Sequence, residues 1–582
     1  MSIFSELKRR NVYRVAGLYI IVSWLVLQVG DVFMSFLPLP DWTPNLVFVL
    51  LVLGFPIALV LAWAFELTPD GIRREATTPD KAAKQRAFRP TDLVLMLALA
   101  GIGVYVFMTR EAGDSLQPVP TDQLHGTIDS IVVLPLEDLT NDPEQAYFVA
   151  GMHEALITEL SKVEALRVIS RTSAMAYQDS DKSLPQIASE LGVDAVVEGS
   201  VLRAGNDVRV TAQLIDAQTD RHLWADNYDR PMTDILELYG EVAGAIVEQI
   251  RVQVTPEEIS RLSGYGKVNP EAYNLYLQGR FLCNKWGPQD MARGTDLLRQ
   301  AVENDPGSAP AWAELGLCLQ YRAFYNFIRP LDALEESRSA ALRAIELDNA
   351  LAESHVARAG VAHFMEYDLA RAEFQLQQAI NLNPGSVKAR IHLSWLLGGS
   401  GRFDGAVQQA LKAIELDPLN TISHHTLGEA YFLARDFDRA LQAYERALAL
   451  GPNDPSLNFS VSQVEGERGN MDRALELGSK SIELSGGASI FLGGYGYLLG
   501  LSGATDEARE VLQKLLTRET VYPFDVAVVH VGLGEYEEAI DQLELAYQQR
   551  NSQLHYLAEG SAFDPLRDYP RFQALLDRLD WN

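Results

Sequence analysis

From residue 353 to residue 522 one pattern of apolar and small residues returns every 34 positions, five times in succession with a single three-residue shortfall. A fixed period of this length points to one helical unit stacked on copies of itself, because each unit can bury its apolar face only against its neighbours. In the stretch that starts at Thr421, the residues Leu427, Gly428, Tyr431, Phe437, Ala440, Tyr444, Ala447 and Pro452 hold positions 7, 8, 11, 17, 20, 24, 27 and 32. Small side chains at 8, 20 and 27 let two antiparallel helices approach closely, large apolar ones fill the gaps between units, and proline ends the second helix.

The preceding stretch places Leu393, Leu397, Phe403, Ala406, Ala410, Ala413 and Pro418 in the same slots, and before it come Ala359, Gly360, Ala372, Ala379 and Pro384. Trp312, Leu315, Gly316 and Ala344 mark an earlier unit with a swollen turn over residues 323–331, and Tyr273, Gly279, Ala301 and Pro306 a longer first one. Degenerate units centre on Gly469, Gly503 and Gly534. The pattern resembles the tetratricopeptide repeat (TPR), and about eight such pairs over residues 268–556 imply an all-α superhelical solenoid of roughly one turn with a concave inner face. Residues 557–582 are expected to cap it.

The formal charge of −29 is unevenly placed, since residues 1–110 hold 11 Lys and Arg against 8 Asp and Glu, and the remainder 38 against 70. An acidic large portion keeps itself soluble and disfavours nucleic acid as a partner. The first 110 residues read as a membrane module with transmembrane helices near 15–37, 45–67 and 92–109. Cations cluster before the first run (Lys8, Arg9, Arg10, Arg14) and between the second and third (Arg73, Arg74, Lys81, Lys84, Arg86, Arg89), with none between the first two. The positive-inside rule then places everything after Arg110 outside the cytoplasm, whereas a third run that does not span reverses this. Asp31 late in the first run is read either as a relay group or as an outer-interface residue. Trp24, Trp42 and Trp63 read as anchors.

Residues 111–127 lack apolar periodicity and form a linker. Residues 128–254 then read as a small mixed α/β domain. Strands are expected over 131–135, 166–170, 195–203, 208–216 and 222–228, with helices over 148–162, 184–191 and from Met232 to about Val254. The stretches VVLPLEDLTNDPEQAYFVAGMHEALITELSKVEALRVISRTSAMAY, IASELGVDAVVEGSV and VRVTAQLIDAQTDRHLWADNYDR resemble the TolB amino-terminal or FlgO-like domain that precedes tetratricopeptide repeats in many bacterial envelope proteins. The opening SELKRRNVYRVAGLYIIVSWLVLQV and the later LAWAFELTPDGIRRE resemble the membrane module of the same proteins. The relatives include membrane-bound winged-helix regulators of the CadC and HilA type and cyclase-labelled TPR proteins. The short stretch ahead of the first apolar run leaves no room for a winged helix or a cyclase domain, so neither DNA binding nor cyclic-nucleotide synthesis is expected to carry over.

Catalytic and cofactor signatures are missing. The chain has no G-x-x-x-x-G-K-[ST], no H-E-x-x-H and no G-x-S-x-G. Gly493, Gly494, Gly496 and Gly500 fall within the first helix of a unit, where small residues serve close packing. His424 and His425 are adjacent on a helix and point apart. No metal, no cofactor and no enzymatic activity are expected. Cys283 and Cys318 lie on the first helices of successive units at offsets that differ by two or three residues. That difference favours two buried thiols over a bridge, which an oxidising compartment would otherwise permit.

The remaining candidate is the concave groove, lined by positions 2, 5, 9, 12 and 13 of each first helix. These positions hold Phe364, Lys388, Trp395, His425, Glu429, Phe432, Phe459, Gln463 and Tyr497. Rings beside a few polar groups suit an extended peptide or a partner helix. Position 5 reads Ala357, Ile391, His425, Phe459 and Gly493, so the lysine clamp for a terminal carboxylate is absent. Phe324, Tyr325 and Phe327 offer a second contact, with a partner or with the α/β domain. The sequence therefore reads as an inner-membrane scaffold or adaptor with its large portion periplasmic, holding a protein or peptide partner of the cell envelope. The alternatives are a transmembrane sensor that signals to the basic loop, and an enzyme with an unrecognised site in the α/β domain.

Overall fold

The computed structural model describes residues 128–140, 145–250, 267–285 and 287–579, with isolated positions elsewhere. The chain divides into two compact units, Met1–Asp122 and Gln123–Asn582. The three apolar runs lie almost wholly outside the described residues. Among the described residues no helix is long and apolar enough to cross a membrane. In the first unit Tyr19 Oη donates to Leu51 O at 2.8 Å, and Glu66–Thr68 pairs antiparallel with Gly71–Arg73.

The second unit opens with a six-stranded sheet. Its elements are β1 (Ser130–Val133), β2 (Glu137–Asp138), α1 (Ala146–Leu160), β3 (Arg167–Ile169), α2 (Arg171–Met175), α3 (Leu184–Leu191), β4 (Ala195–Ala204), β5 (Asp207–Asp216), β6 (Arg221–Pro231) and α4 (Ile235–Ile250). The order is β3-β1-β4-β5-β6, with β1 parallel to both neighbours and β4, β5 and β6 forming an antiparallel meander. Alternation decides which helix covers which face. Ile131, Val133, Val197 and Leu214 pack under α1 and α4, while Val132, Ile169 and Val196 pack under α2 and α3. The sequence pattern anticipates all but β2 and α2, which are too short to show a period.

Eight antiparallel helix pairs follow: α5 (Pro270–Cys283) with α6 (Pro288–Asn304), α7 (Ala309–Phe324) with α8 (Pro330–Leu347), α9 (Ala352–Val361) with α10 (Leu369–Leu382), α11 (Val387–Gly399) with α12 (Phe403–Leu416), α13 (Thr421–Leu433) with α14 (Phe437–Leu450), α15 (Pro455–Glu467) with α16 (Met471–Leu484), α17 (Ser489–Ser502) with α18 (Thr505–Leu516), and α19 (Pro523–Leu533) with α20 (Tyr536–Gln548). Small residues sit where the helices cross. A Cβ on Gly428 would stand 2.4 Å from the Tyr444 ring, and one on Gly500 would stand 2.4 Å from the backbone of Gly532. The glycines of α17 thus bring it against α19, the first helix of the next repeat, and serve packing.

The α/β domain docks on the solenoid along the turns that precede α11 and α13. Buried Asp417 accepts hydrogen bonds from Ser170 Oγ at 2.6 Å and from the Ser173 backbone N–H at 3.1 Å, and Gly385 N donates to Ser161 O at 3.2 Å. Burial raises the Asp417 carboxyl above its ordinary value, opposed by the Ser170, Ser173 and Asn420 hydrogen bonds. The buried hydroxyls of Tyr239 and Tyr273 meet at 2.9 Å, joining α4 to α5.

One expectation is overturned here. Cys283 and Cys318 are bridged, with Cα atoms 5.9 Å apart. Cys283 is the last residue of α5 whereas Cys318 lies mid-way along α7. Counted from the helix starts at Pro270 and Ala309 the two offsets are 13 and 9, a difference of four residues, close to one helical turn, so the two side chains lie on corresponding faces. Chain entropy for a sequence separation of 35 residues corresponds to about 4 kcal/mol.

After α20 the chain does not simply cap the solenoid. Helix α21 (Pro570–Leu579) packs its Phe572, Leu575 and Leu579 against Ile540 and Leu543 of the last pair. Residues 551–566 instead turn back across the C-terminal ends of the first helices of the repeats.

Two outcomes follow from this packing. C283S should lower the stability of the solenoid by an amount on the order of the loop-entropy figure, about 2–5 kcal/mol, measured by thermal denaturation with and without reductant. G500A should lower it by about 1–3 kcal/mol because helix backbones must separate. A Tm unchanged by G500A would contradict the close approach of α17 and α19.

Candidate functional site

The returning segment, residues 551–566, acts as a strap. Tyr367 Oη donates to Asn551 O at 3.1 Å, Gln553 Nε2 to Phe324 O at 2.8 Å, and Arg435 Nη2 to Glu559 O at 3.1 Å and Asp564 Oδ1 at 2.9 Å. A Cβ on Gly399 would meet His555 O at 2.8 Å, and Ser561 Oγ donates to Glu467. These contacts touch the ends of α7, α9, α11, α13 and α15 in turn. Under the strap lies an aromatic cluster in which the Phe324 ring centre is 5.2 Å from Phe364, and Phe364 is 5.2 Å from His555. The turn Ala362–Glu366 is a π-helical extension of α9, which carries Phe364 into this cluster.

Beyond the strap the concave face stays open as a cavity of about 1300 Å³. Its walls come from α13, α15, α17 and the start of α19, including His425, Phe432, Phe459, Gln463, Phe491, Tyr497 and Asp525. The turns around Lys285 and Asn326 and the strap residues Tyr556 and Phe563 complete the lining. Asn326, in left-handed backbone conformation (φ 58°), donates from Nδ2 to Asp525 Oδ2 at 3.1 Å, so the swollen turn of the second repeat reaches the eighth and closes the superhelix.

Seven of the nine groove residues read from the sequence border this cavity: Trp395, His425, Glu429, Phe432, Phe459, Gln463 and Tyr497. Two do not. Phe364 is buried at 1% exposure beneath the strap. Lys388 sits at the α/β-domain side, where its charge acts on Glu154 and His392. Both corrections have one cause, since segments distant in sequence fill the first half of the concave face. The Phe324–Phe327 insertion contacts the strap and the eighth repeat and borders the cavity. His424 and His425 point apart, to Pro418 O at 2.9 Å and Ser460 Oγ at 2.8 Å. No cluster of metal-ligating side chains occurs among the described residues.

Two carboxyls of the wall are held near neutrality. Burial pushes Glu429 up to about 7, opposed by the Tyr556 hydroxyl and the Trp395 indole. Burial likewise pushes Asp525 up to about 7, opposed by Ser489 and Asn326. Burial lowers the histidines nearby, with His392 at about 3 and His425 and His555 each at about 4. The arrangement offers rings, hydroxyls and carboxyls along a wall of helices, and is suited to holding a ligand.

Residues 391–455 and 425–489 match the tetratricopeptide repeat family, and residues 127–235 match the second domain of HilA/YgeH-like transcriptional regulators. The solenoid is built of tetratricopeptide repeats. The α/β domain is HilA-like. The chain is 39% identical over 228 residues to a protein of Rhizobium meliloti named putative adenylate cyclase 3, covering 39% of each. It is 24% identical over 212 residues to superkiller protein 3 of Schizosaccharomyces pombe, covering 35% of this chain and 14% of that protein. The chain thus spans well under half the length of either relative. Among solved structures, the Cut9–Hcn1 hetero-tetramer of the APC/C aligns over 60% of this chain and 59% of its own at 15% identity (TM-score 0.37). The pilF protein of Pseudomonas aeruginosa aligns over 40% and 98% at 19% identity (TM-score 0.30).

A raised carboxyl stabilises the fold below its unfolded value near 4.5, and that contribution is lost as pH rises through about 7. E429Q is neutral at every pH, so it should gain on the wild type by about 2–3 kcal/mol between pH 5 and pH 8. Paired thermal melts across that range test this, and a difference independent of pH would contradict the burial of Glu429. The depressed histidines act oppositely, costing stability as pH falls below about 6.5, and cancel in the paired comparison.

Proposed function

We propose that this chain is a membrane-anchored scaffold of the bacterial cell envelope, whose TPR superhelix holds a segment of a protein partner in its interior cavity. The observation that carries this reading is the cavity itself. At about 1300 Å³ it exceeds the roughly 300–1,000 Å³ usual for small-molecule sites and suits an extended polymer. TPR folds bind protein or peptide partners, and the rings of Phe432, Phe459, Phe491 and Tyr497 supply anchors at low cost in side-chain entropy. The Cys283–Cys318 bridge supports placing the large portion in an oxidising compartment outside the cytoplasm. The three apolar runs and the bracketing cations support the anchor and its orientation. The resemblance of the α/β domain to TolB and FlgO-like domains fits the same compartment.

Two experiments test the reading. Alkaline phosphatase fused after Gln117 should be active and a fluorescent protein at the same place dark; the reverse result would put the large portion in the cytoplasm. A photo-crosslinking residue at position 459, inside the cavity, should capture one discrete partner in living cells. The same residue at Leu411, an exposed position outside the cavity, should not, and Q463W should abolish the adduct by obstructing the groove one helical turn from Phe459. Equal capture at both positions would contradict a groove site.

A further inference from the structure

The chemistry of the occupant can be narrowed, on the reading that the cavity holds a polymer segment. The lining includes both Asp454, which caps the N-terminus of α15, and Glu467, its last residue. The cavity therefore runs the full length of α15, about 20 Å at 1.5 Å per residue, and has a carboxylate at each end. Asp454 uses Oδ1 to accept from Ser456 N at 2.7 Å, and Glu467 accepts from Ser561 of the strap. Neither makes an ion pair with a cation of the described chain.

The other charged groups of the lining are Glu429, Glu519 and Asp525 against Lys285 and Arg518. Arg518 is directed to Gly487 O at 2.9 Å and Lys285 lies over the Phe281 ring at 4.9 Å, so neither neutralises the carboxylates of α15. A second observation points the same way. Asn326 spends its Nδ2 on Asp525, and its buried Oδ1 has no donor. An acceptor in this state calls for a donor, an N–H or O–H, and repels a carboxylate. Between the two carboxylates stand Phe459 and Phe491, edge to face at 5.5 Å, surfaces that attract a cation as well as an apolar chain.

We propose that the cavity binds an extended, mainly apolar peptide segment bearing a lysine or arginine that pairs with Asp454 or Glu467, with the strap residues Tyr556 and Phe563 as its outer wall. An acidic segment is rejected, because it would set like charges in a partly desolvated cavity.

The test is selection of phage-displayed random 12-residue peptides on the full chain in detergent, keeping clones that bind the wild type and not Q463W. The account expects such clones to be enriched in Lys and Arg among apolar residues, and to lose about three- to tenfold in affinity on D454N or E467Q. Asn caps a helix as well as Asp does, so D454N keeps the fold. Cavity-dependent clones with no basic enrichment and no response to either substitution would overturn the charge inference while leaving the groove reading standing. A selection that yields no cavity-dependent clone would overturn both.

Discussion

The close approach of helices at glycine and alanine is the constraint on which the rest of this structure depends. Ala440, Ala447, Ala406 and Ala413 are fully buried where paired helices cross, and Gly428 lies against the Tyr444 ring. Because the same contact recurs at a constant spacing, each pair is rotated on the last by a similar small angle, and eight pairs carry the chain around one turn. Only after a full turn can the second repeat touch the eighth, as it does through Asn326 and Asp525. The interior cavity follows from that closure.

A closed turn creates an interior that must be filled or used. Its first half is filled by the chain itself: the HilA-like domain along the turns before α11 and α13, and the strap across the ends of the inner helices. The half bordered by α13 to α19 is left open. That division accounts for the raised carboxyls of Glu429 and Asp525 and the lowered histidines. All of them are shielded from solvent on several sides, where the charged form is penalised.

How much of this was legible in the sequence depends on how far apart the interacting residues lie. The helix pairs, the five main strands and the inward positions of the first helices follow from periods of 34, 2 and 3.6, which are local. Phe459, Gln463 and Tyr497 could be placed at the groove for that reason. The strap could not, because residues 551–566 have no repeat register and their partners lie up to about 230 positions away, as Gln553 does from Phe324. Phe364 and Lys388 were misplaced for the same reason. The Cys283–Cys318 bridge is hidden from a count of repeat positions, because an offset of about one helical turn keeps two residues on corresponding faces.

The central claim is that a chamber bounded by the strap exists in the folded chain, and hydrogen exchange of the backbone amides tests it most directly. The account predicts that amides of residues 551–563 exchange on the slow timescale of the solenoid helices they cross. The rim of the cavity around residues 484–488 is predicted to exchange fast. Exchange of residues 551–563 at the rate of an unstructured tail would mean that the groove is open along its whole length, and would contradict the account.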